Sequence, residues 1–151
     1  MNIRVAIKSD TTGISELVSS LSHFYTGKEN DKLPTWFLST LEPQEFIKRI
    51  ENSEYINLLY IQKNEITGYI SMKRNGHLYH LFVSEKNQGK GIARKLWNEI
   101  TRQCTLNMYI VKSSLYIVPV YEAFGFLKTG QQSEKKGIYF QPMELVTKSY
   151  R

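Results

Sequence analysis

Cysteine is nearly absent from this chain: Cys104 is the one thiol in 151 residues. A single thiol can build neither an internal disulfide framework nor a cysteine-rich zinc site, and no metal site is expected. No apolar run approaches the roughly 20 residues needed to cross a bilayer. The N-terminus lacks a signal-peptide pattern, so a cytoplasmic location is the default expectation, with no membrane partner. Internal repeats and low-complexity tracts are missing too. So is a basic block: the net charge is +6 with a pI near 9.3, yet Lys and Arg are scattered along the chain. Scattered charge argues against a nucleic-acid partner, whose backbone rewards massed cations. What remains is ordinary for a globular protein, with 41% hydrophobic and 23% charged residues, and a length that suits one domain, 1–151, with a real core.

The most informative stretch runs from Leu81 to Trp97. Leu81-Phe82-Val83 is a short apolar strand. Gly89 and Gly91 then allow a tight turn and close approach of backbone to a ligand. Ile92, Leu96 and Ile100 recur at helical spacing, so a helix is expected over Ile92–Gln103. A helix start presents unpaired N–H groups backed by the positive end of the macrodipole, which is an anion site, and Lys86, Lys90 and Arg94 add positive charge around it. A Walker loop requires Ser or Thr after the lysine, whereas Gly91 follows Lys90. A dinucleotide fingerprint requires a third glycine where Arg94 stands.

The remaining elements follow from periodicity. Ile3, Val5 and Ile7 alternate with Arg4, Ala6 and Lys8 as a half-buried strand. Asp10 is placed to cap a helix whose apolar face carries Ile14, Leu17, Val18, Leu21, Phe24 and Tyr25, and which should end near Gly27. Residues 28–41 are irregular, and Trp36 and Phe37 there either line an acceptor pocket or cover the core. Pro43 opens a helix with Phe46, Ile47 and Ile50 on one stripe. Strands are expected over Tyr55–Gln62, Ile66–Met72 and His77–Val83. They are joined at Lys63-Asn64-Glu65 and at Asn75-Gly76, a dipeptide that suits two consecutive positive-φ residues. Cys104 lies on the apolar stripe of the helix after the loop and is expected to be a buried core thiol. A strand with Leu106, Met108 and Ile110 on one face follows, and the crossover makes it parallel to His77–Val83. Ligands tend to bind where such neighbours part.

Between Val111 and Phe126 the sequence reads as a strand end, a serine cap, a short helix containing Pro119, a Gly125 C-cap and a new strand. A closing strand spans Gly137 to Leu145. Gln88, Gly91 and Ala93 in the loop, and Tyr121, Glu122, Gly125 and Phe126 downstream, resemble in order and spacing the two signatures of the GNAT superfamily of N-acetyltransferases. The resemblance covers nearly the whole chain, with the acetyl-CoA loop at 84–93 and the C-terminal signature at 111–126. It implies an α/β mixed sheet of the acyl-CoA N-acyltransferase kind, here with roughly seven strands flanked by four helices. It also implies acetyl-CoA as acyl donor and an amine-bearing small molecule or peptide as acceptor. The pyrophosphate would rest on backbone N–H groups of Gln88, Gly89, Lys90, Gly91, Ile92 and Ala93. The pantetheine arm would pair along Leu81, Phe82 and Val83.

From the same resemblance Tyr121 is the expected acid that protonates the departing thiolate. The base for the amine is sought on His77–Val83, where strand alternation would point His77 and His80 to opposite faces, and His80 is the candidate because His77 abuts the turn. The family commonly has Asn where this chain has Lys112 and Ala where it has Ile117; Ser113 or Ser114 would have to replace the Asn contact to the arm. A CoA-binding module without catalysis stays open as an alternative, as does a homodimer.

Overall fold

Two reverse turns set the register of the sheet. The computed structural model describes residues 2–24 and 35–147, so the expected helix end near Gly27 and the side chain of Trp36 lie outside the described residues. Strand β2 (Tyr55–Gln62) turns into β3 (Glu65–Lys73) through Lys63 and Asn64, both at positive φ (50° and 64°). This is the primed geometry that matches strand twist. The Asn75-Gly76 hairpin is built differently from the sequence expectation. Only Gly76 is at positive φ (99°), and its N–H donates to the Lys73 carbonyl at 2.9 Å. The Asn75 side chain accepts instead from the His77 N–H at 3.1 Å. Glycine is required here twice over, because a Cβ would also stand 2.6 Å from the Met108 carbonyl oxygen.

From that turn β4 (His77–Val83) leads to helix α4 (Ile92–Gln103) and then β5 (Met108–Ser114). A 3₁₀ turn over Leu115–Ile117 and helix α5 (Val118–Phe124) follow, with Pro119 in the first turn and Gly125 in the left-handed region as C-cap. Short strands β6 (Leu127–Lys128) and β7 (Ser133–Lys135) precede the long β8 (Ile138–Val146). At the N-terminal end stand β1 (Ile3–Val5), α1 (Thr11–Ser20), α2 (Thr35–Ser39) and α3 (Pro43–Ile50). The sheet has eight strands in the order β1-β2-β3-β4-β5-β8-β6, with β7 also on β8. All pairs are antiparallel except β4–β5. The two elements beyond those expected are β7, whose exposed Ser-Glu-Lys carries no apolar alternation, and the single-turn α2.

Both sheet faces are covered. On one, Leu58, Ile70, Met72, Leu78 and Leu81 pack against Ile92, Leu96, Trp97 and Ile100 of α4 and Val118 and Tyr121 of α5. Gly68 lets α4 sit close, since a Cβ there would stand 2.9 Å from Ile92 Cγ2. On the other, Leu59, Tyr69 and Phe82 meet Ile14, Leu17 and Val18 of α1 and Phe46 of α3. Burying each such side chain contributes about 1.5–3 kcal/mol.

Three local expectations change. Asp10 does not cap α1 with its side chain; it accepts from the Ile7 N–H at 2.8 Å and holds Arg4 bidentately at 2.9 Å. Cys104 is only partly buried, because α4 ends before it, and its thiol donates to the Arg74 carbonyl at 3.3 Å. On β5, which begins only at Met108, Met108 and Ile110 do share a face as expected, but it is the open one, 49% and 41% exposed, and Tyr109, Val111 and Ser113 face the α4 side.

Candidate active site

Strands β4 and β5 touch for only two residue pairs, His77↔Ile110 and Leu78↔Val111. Beyond them β4 stays with β3 through Gly68↔Val83, while β5 runs its full length along β8, from Met108↔Val146 to Ser114↔Phe140. The two strands therefore diverge, each held by its own antiparallel neighbour.

At the mouth of the divergence sits the glycine loop. A 3₁₀ turn over Glu85–Asn87 is closed by the Asn87 amide on Ser84 Oγ at 2.6 Å. The Gln88 side chain donates back to the Val83 carbonyl at 3.0 Å, tying the loop to the strand end. Gly89 and Gly91 are at φ 79° and 84°, a region costly for residues with a Cβ. Gly91 is the N-cap of α4 and its carbonyl accepts from Lys95. Among the described residues, no acceptor faces the backbone N–H groups of Gly89, Lys90, Gly91, Ile92 and Ala93. Of the cations, Arg94 is engaged with α5: its Nη2 donates to the Ala123 carbonyl at 2.7 Å and its Cζ lies 4.8 Å from the Phe124 ring centroid. Lys86 is 4.0 Å from Glu65.

A cavity of about 430 Å³ opens between this loop and α5. Its walls include Val83, Gln88, Gly89, Gly91, Ile92 and Ala93 from the predicted set, facing Tyr116, Ile117, Pro119, Val120 and Phe124. One wall offers amide hydrogens and the other apolar surface, which fits a ligand with an anionic end and a flexible apolar arm. Among the other predicted residues, Lys90 is exposed at the rim. Leu81 packs under α4, Phe82 on the α1 side, and Ser114 ends β5, its carbonyl accepting from Ser113 Oγ at 2.7 Å. Tyr121 is buried against Phe124 and Phe126, with ring centroids 6.2 and 5.5 Å away. Burial, reinforced by Tyr116, pushes its phenol well above the usual tyrosine range.

A β-bulge alters the face of β4 away from α4. Met72 pairs with Leu78 but Ser71 pairs with His80, so Tyr79 is an extra residue. Strict alternation is broken, and His77, Tyr79, His80 and Phe82 all lie on the face away from α4. The sequence expectation that His77 and His80 point to opposite faces is thereby overturned. The Tyr79 ring has His77 at 4.9 Å and His80 at 6.1 Å. His80 is further enclosed by Phe46 at 5.7 Å and Phe82 at 5.1 Å. Burial, then the nearby Arg49, pulls its pKa well below the ordinary imidazole value. Arg49 and Ser71 carry no sequence signal of their own and become visible only once α3 is docked on the sheet; the α5 wall lies within the 111–126 stretch, but that it faces the glycine loop is not written there.

A mixed sheet that parts at its one parallel pair, above an amide-lined loop, is the architecture of acyl-CoA N-acyltransferases. A family model for the acetyltransferase (GNAT) domain matches residues 23–147, and the chain belongs to this family of acyltransferases. An uncharacterised N-acetyltransferase of Schizosaccharomyces pombe is 35% identical over an alignment of 98 residues that covers 61% of this chain and 38% of that protein. The chain thus spans well under half of that curated relative. A GCN5-related N-acetyltransferase from Rhodopseudomonas palustris shares the fold with a TM-score of 0.81 at 14% identity, over 96% of this chain and 94% of the other. The PaiA N-acetyltransferase of Thermoplasma acidophilum, solved with coenzyme A, shares it with a TM-score of 0.76 at 16% identity, over 96% and 98%. Among the described residues there is no metal-binding group of three or more His, Cys, Asp or Glu, and no helix long and apolar enough to cross a membrane.

Proposed function

We propose that this chain transfers the acetyl group of acetyl-CoA to a primary amine by direct transfer, with residues 1–151 forming the catalytic domain. The observation that carries the reading is the divergence of β4 and β5 after Leu78↔Val111, with the amide-lined loop at its mouth. The N–H groups of Gly89 to Ala93 would grip the diphosphate, the Gln88 N–H being engaged by the Glu85 carbonyl at 3.3 Å, and Lys90 would add charge at the rim. The apolar α5 wall would cover the pantetheine arm, with Ser114 near its far end in place of the usual asparagine. Acetyl-CoA supplies an activated acyl carbon; the chain's task is to orient it and stabilise charge.

The backbone of Leu81, Phe82 and Val83 offers preorganised dipoles along the diverging strand. The Val83 N–H, which the β3–β4 register leaves pointing away from β3, would stabilise the charge that develops on the attacked carbonyl oxygen; that of Phe82 is turned to Tyr69. Tyr121 would give its proton to the departing sulfur. In water a phenol of pKa about 10 protonates a thiolate of pKa about 8.5 slightly uphill. Burial raises the Tyr121 phenol, but it also disfavours a thiolate in the same dry cleft, so only the difference between the two acids matters. For the amine's proton, His80 is held neutral yet made a weak base by burial, and a base works best with a pKa near the working pH. His80 is therefore assigned a positioning role on the acceptor side, with water removing the proton.

The test is release of free thiol from acetyl-CoA over a broad amine panel, with amide resonances followed during CoA addition. The expected result is thiol release only when an amine is present, with shifts at Gly89 to Ala93. CoA that binds without moving those amides, or acetyl-CoA that yields no thiol with any amine, refutes the reading.

A further inference from the structure

On the face of β4 away from α4, four polar atoms are sealed from solvent without a hydrogen-bond partner: Arg49 Nε, Arg49 Nη2, Ser71 Oγ and His80 Nε2. They come from three elements, α3, β3 and β4, yet converge. Ser71 and His80 are register partners across the β3–β4 pair. The Arg49 Cζ lies 5.2 Å from the Phe46 ring centroid and 5.9 Å from that of Tyr79, the same two rings that flank His80 at 5.7 and 6.1 Å. Buried polar groups in native proteins are almost always partnered, so four orphans in one place call for a cause.

The neighbours supply too little. The Tyr69 hydroxyl donates to Asn57 Oδ1 at 2.7 Å, and its oxygen faces Ser71 and Arg49 without meeting any of the four atoms in hydrogen-bond geometry; two lone pairs could not serve all of them in any case. The Asn57 amide donates to the Arg49 carbonyl at 3.1 Å, which fixes α3 over the strands. Among the described residues no carboxylate pairs with Arg49: the acidic partners in ion pairs are Asp10, Glu45, Glu65 and Glu99, all bound to other cations. Arg49 as a whole is half-buried, but the Nε–Nη2 edge of its guanidinium is sealed and unpaired, which is costly for a charged group.

The pattern of orphans specifies what is missing. Nε–H and Nη2–H of an arginine are parallel and form the fork that receives a carboxylate bidentately. A serine hydroxyl and an imidazole N–H supply two further donors. A carboxylate has about four lone-pair directions to fill. The site lies one strand repeat, about 6.6 Å, from Phe82, where the acetyl group arrives under the function proposed above. We propose that Arg49, Ser71 and His80 bind the carboxylate of the acyl acceptor, so that the substrate is a compact amino acid rather than a polyamine or a plain alkylamine. This rests on the acetyl-transfer reading for the amine half of the molecule but not for the carboxylate half.

Two experiments separate the two. In the first, N-acetylated amino acids and their matching neutral amides are added to the protein with no CoA, and the unfolding midpoint is read. At least one acid should raise the midpoint in a saturable way while its amide does not, and Arg49→Gln should abolish the difference. Arg49→Lys, which keeps the charge but loses the fork, should abolish most of it, and Ser71→Ala should weaken it if the arginine variants fold poorly. In the second, thiol release is compared for free amino acids and their carboxamides. The acid should exceed its amide by about ten- to a hundredfold in kcat/KM, with the ratio collapsing toward one in Arg49→Gln. Acids and amides that behave alike in the midpoint assay overturn the carboxylate site whatever the enzyme does. Amides that react as well as acids overturn it while leaving acetyl transfer standing. A midpoint shift with no thiol release from any amine sustains the site and removes the acetyl-transfer reading.

Discussion

Gly76 and Gly89 have similar backbone angles, φ 99° and 79°, but different surroundings. A methyl group added at Gly89 meets nothing within 4 Å, whereas at Gly76 it would stand 2.6 Å from the Met108 carbonyl oxygen and 3.1 Å from Leu106 Cδ1. Gly89→Ala therefore costs only the left-handed strain, about 1–2 kcal/mol, partly offset by about 0.4–1 kcal/mol from a stiffer unfolded chain. Gly76→Ala carries the same two terms and must also push the hairpin from β5. That shift weakens the 3.0 Å bond from the Ile110 N–H to the Gly76 carbonyl, a further loss of about 0.5–1.5 kcal/mol, with the displaced packing added. The expected totals are about 1 kcal/mol for Gly89→Ala and about 2–3 kcal/mol for Gly76→Ala. For a chain of this length 1 kcal/mol moves the midpoint by roughly 2–4 °C. Urea titration with an unchanged slope reads the difference directly. Gly76 also precedes the first β4–β5 pair, His77↔Ile110, so Gly76→Ala should weaken CoA binding by displacing the divergence. Equal stability losses in the two variants would refute the steric argument.

Other perturbations probe the site. Tyr121→Phe should lower the rate of thiol release by about 10²–10⁴-fold, the usual range for loss of a general acid, with CoA affinity from titration little changed; an unaltered rate across pH removes Tyr121 as the acid. His80 and His77 both have depressed pKa values, so the unfolded chain binds more protons below about pH 6.5 than the folded one does. Stability should therefore be complete above that pH and fall as pH drops toward the folded values, with a slope of up to about 1.4 kcal/mol per unit from the enclosed His80 and a smaller, solvent-screened part from His77. His80→Leu should flatten part of this fall in denaturant titrations at pH 7 to 5, and an unchanged profile would show that its burial is not what it is described to be. Gln88→Ala frees the Val83 carbonyl at an exposed loop, so it should cost less than about 1 kcal/mol of stability yet weaken CoA binding several-fold.

Elements whose signal is local were legible in the sequence. Tyr55–Gln62, His77–Val83 and Ile92–Gln103 have the bounds that periodicity gives them, because strand alternation and the i, i+4 apolar stripe are written into neighbouring residues. The Asn75-Gly76 dipeptide marked a turn, but its type depends on the approach of the Met108 carbonyl, a contact no local pattern encodes. Alternation also failed at Tyr79, where pairing with Ser71 and Met72 forces an extra residue. On the donor side, the loop residues are contiguous, so their glycines and helix start could be read directly. The α5 wall and the Arg49 cluster are assembled from distant segments. Arg49 in particular reads as one more polar residue on an amphipathic helix until α3 is laid across β3 and β4.

The bulge in β4 gives the strand two independently adjustable sides. Leu78 and Leu81 keep their places beneath α4 although three positions separate them, because the extra residue contributes its ring only to the opposite face. Replacements at position 79 can therefore enlarge, shrink or recharge the ring beside the Arg49 guanidinium without disturbing the hydrophobic layer that anchors α4. A scaffold of this kind can keep one acyl donor through many generations of change while its choice of recipient drifts.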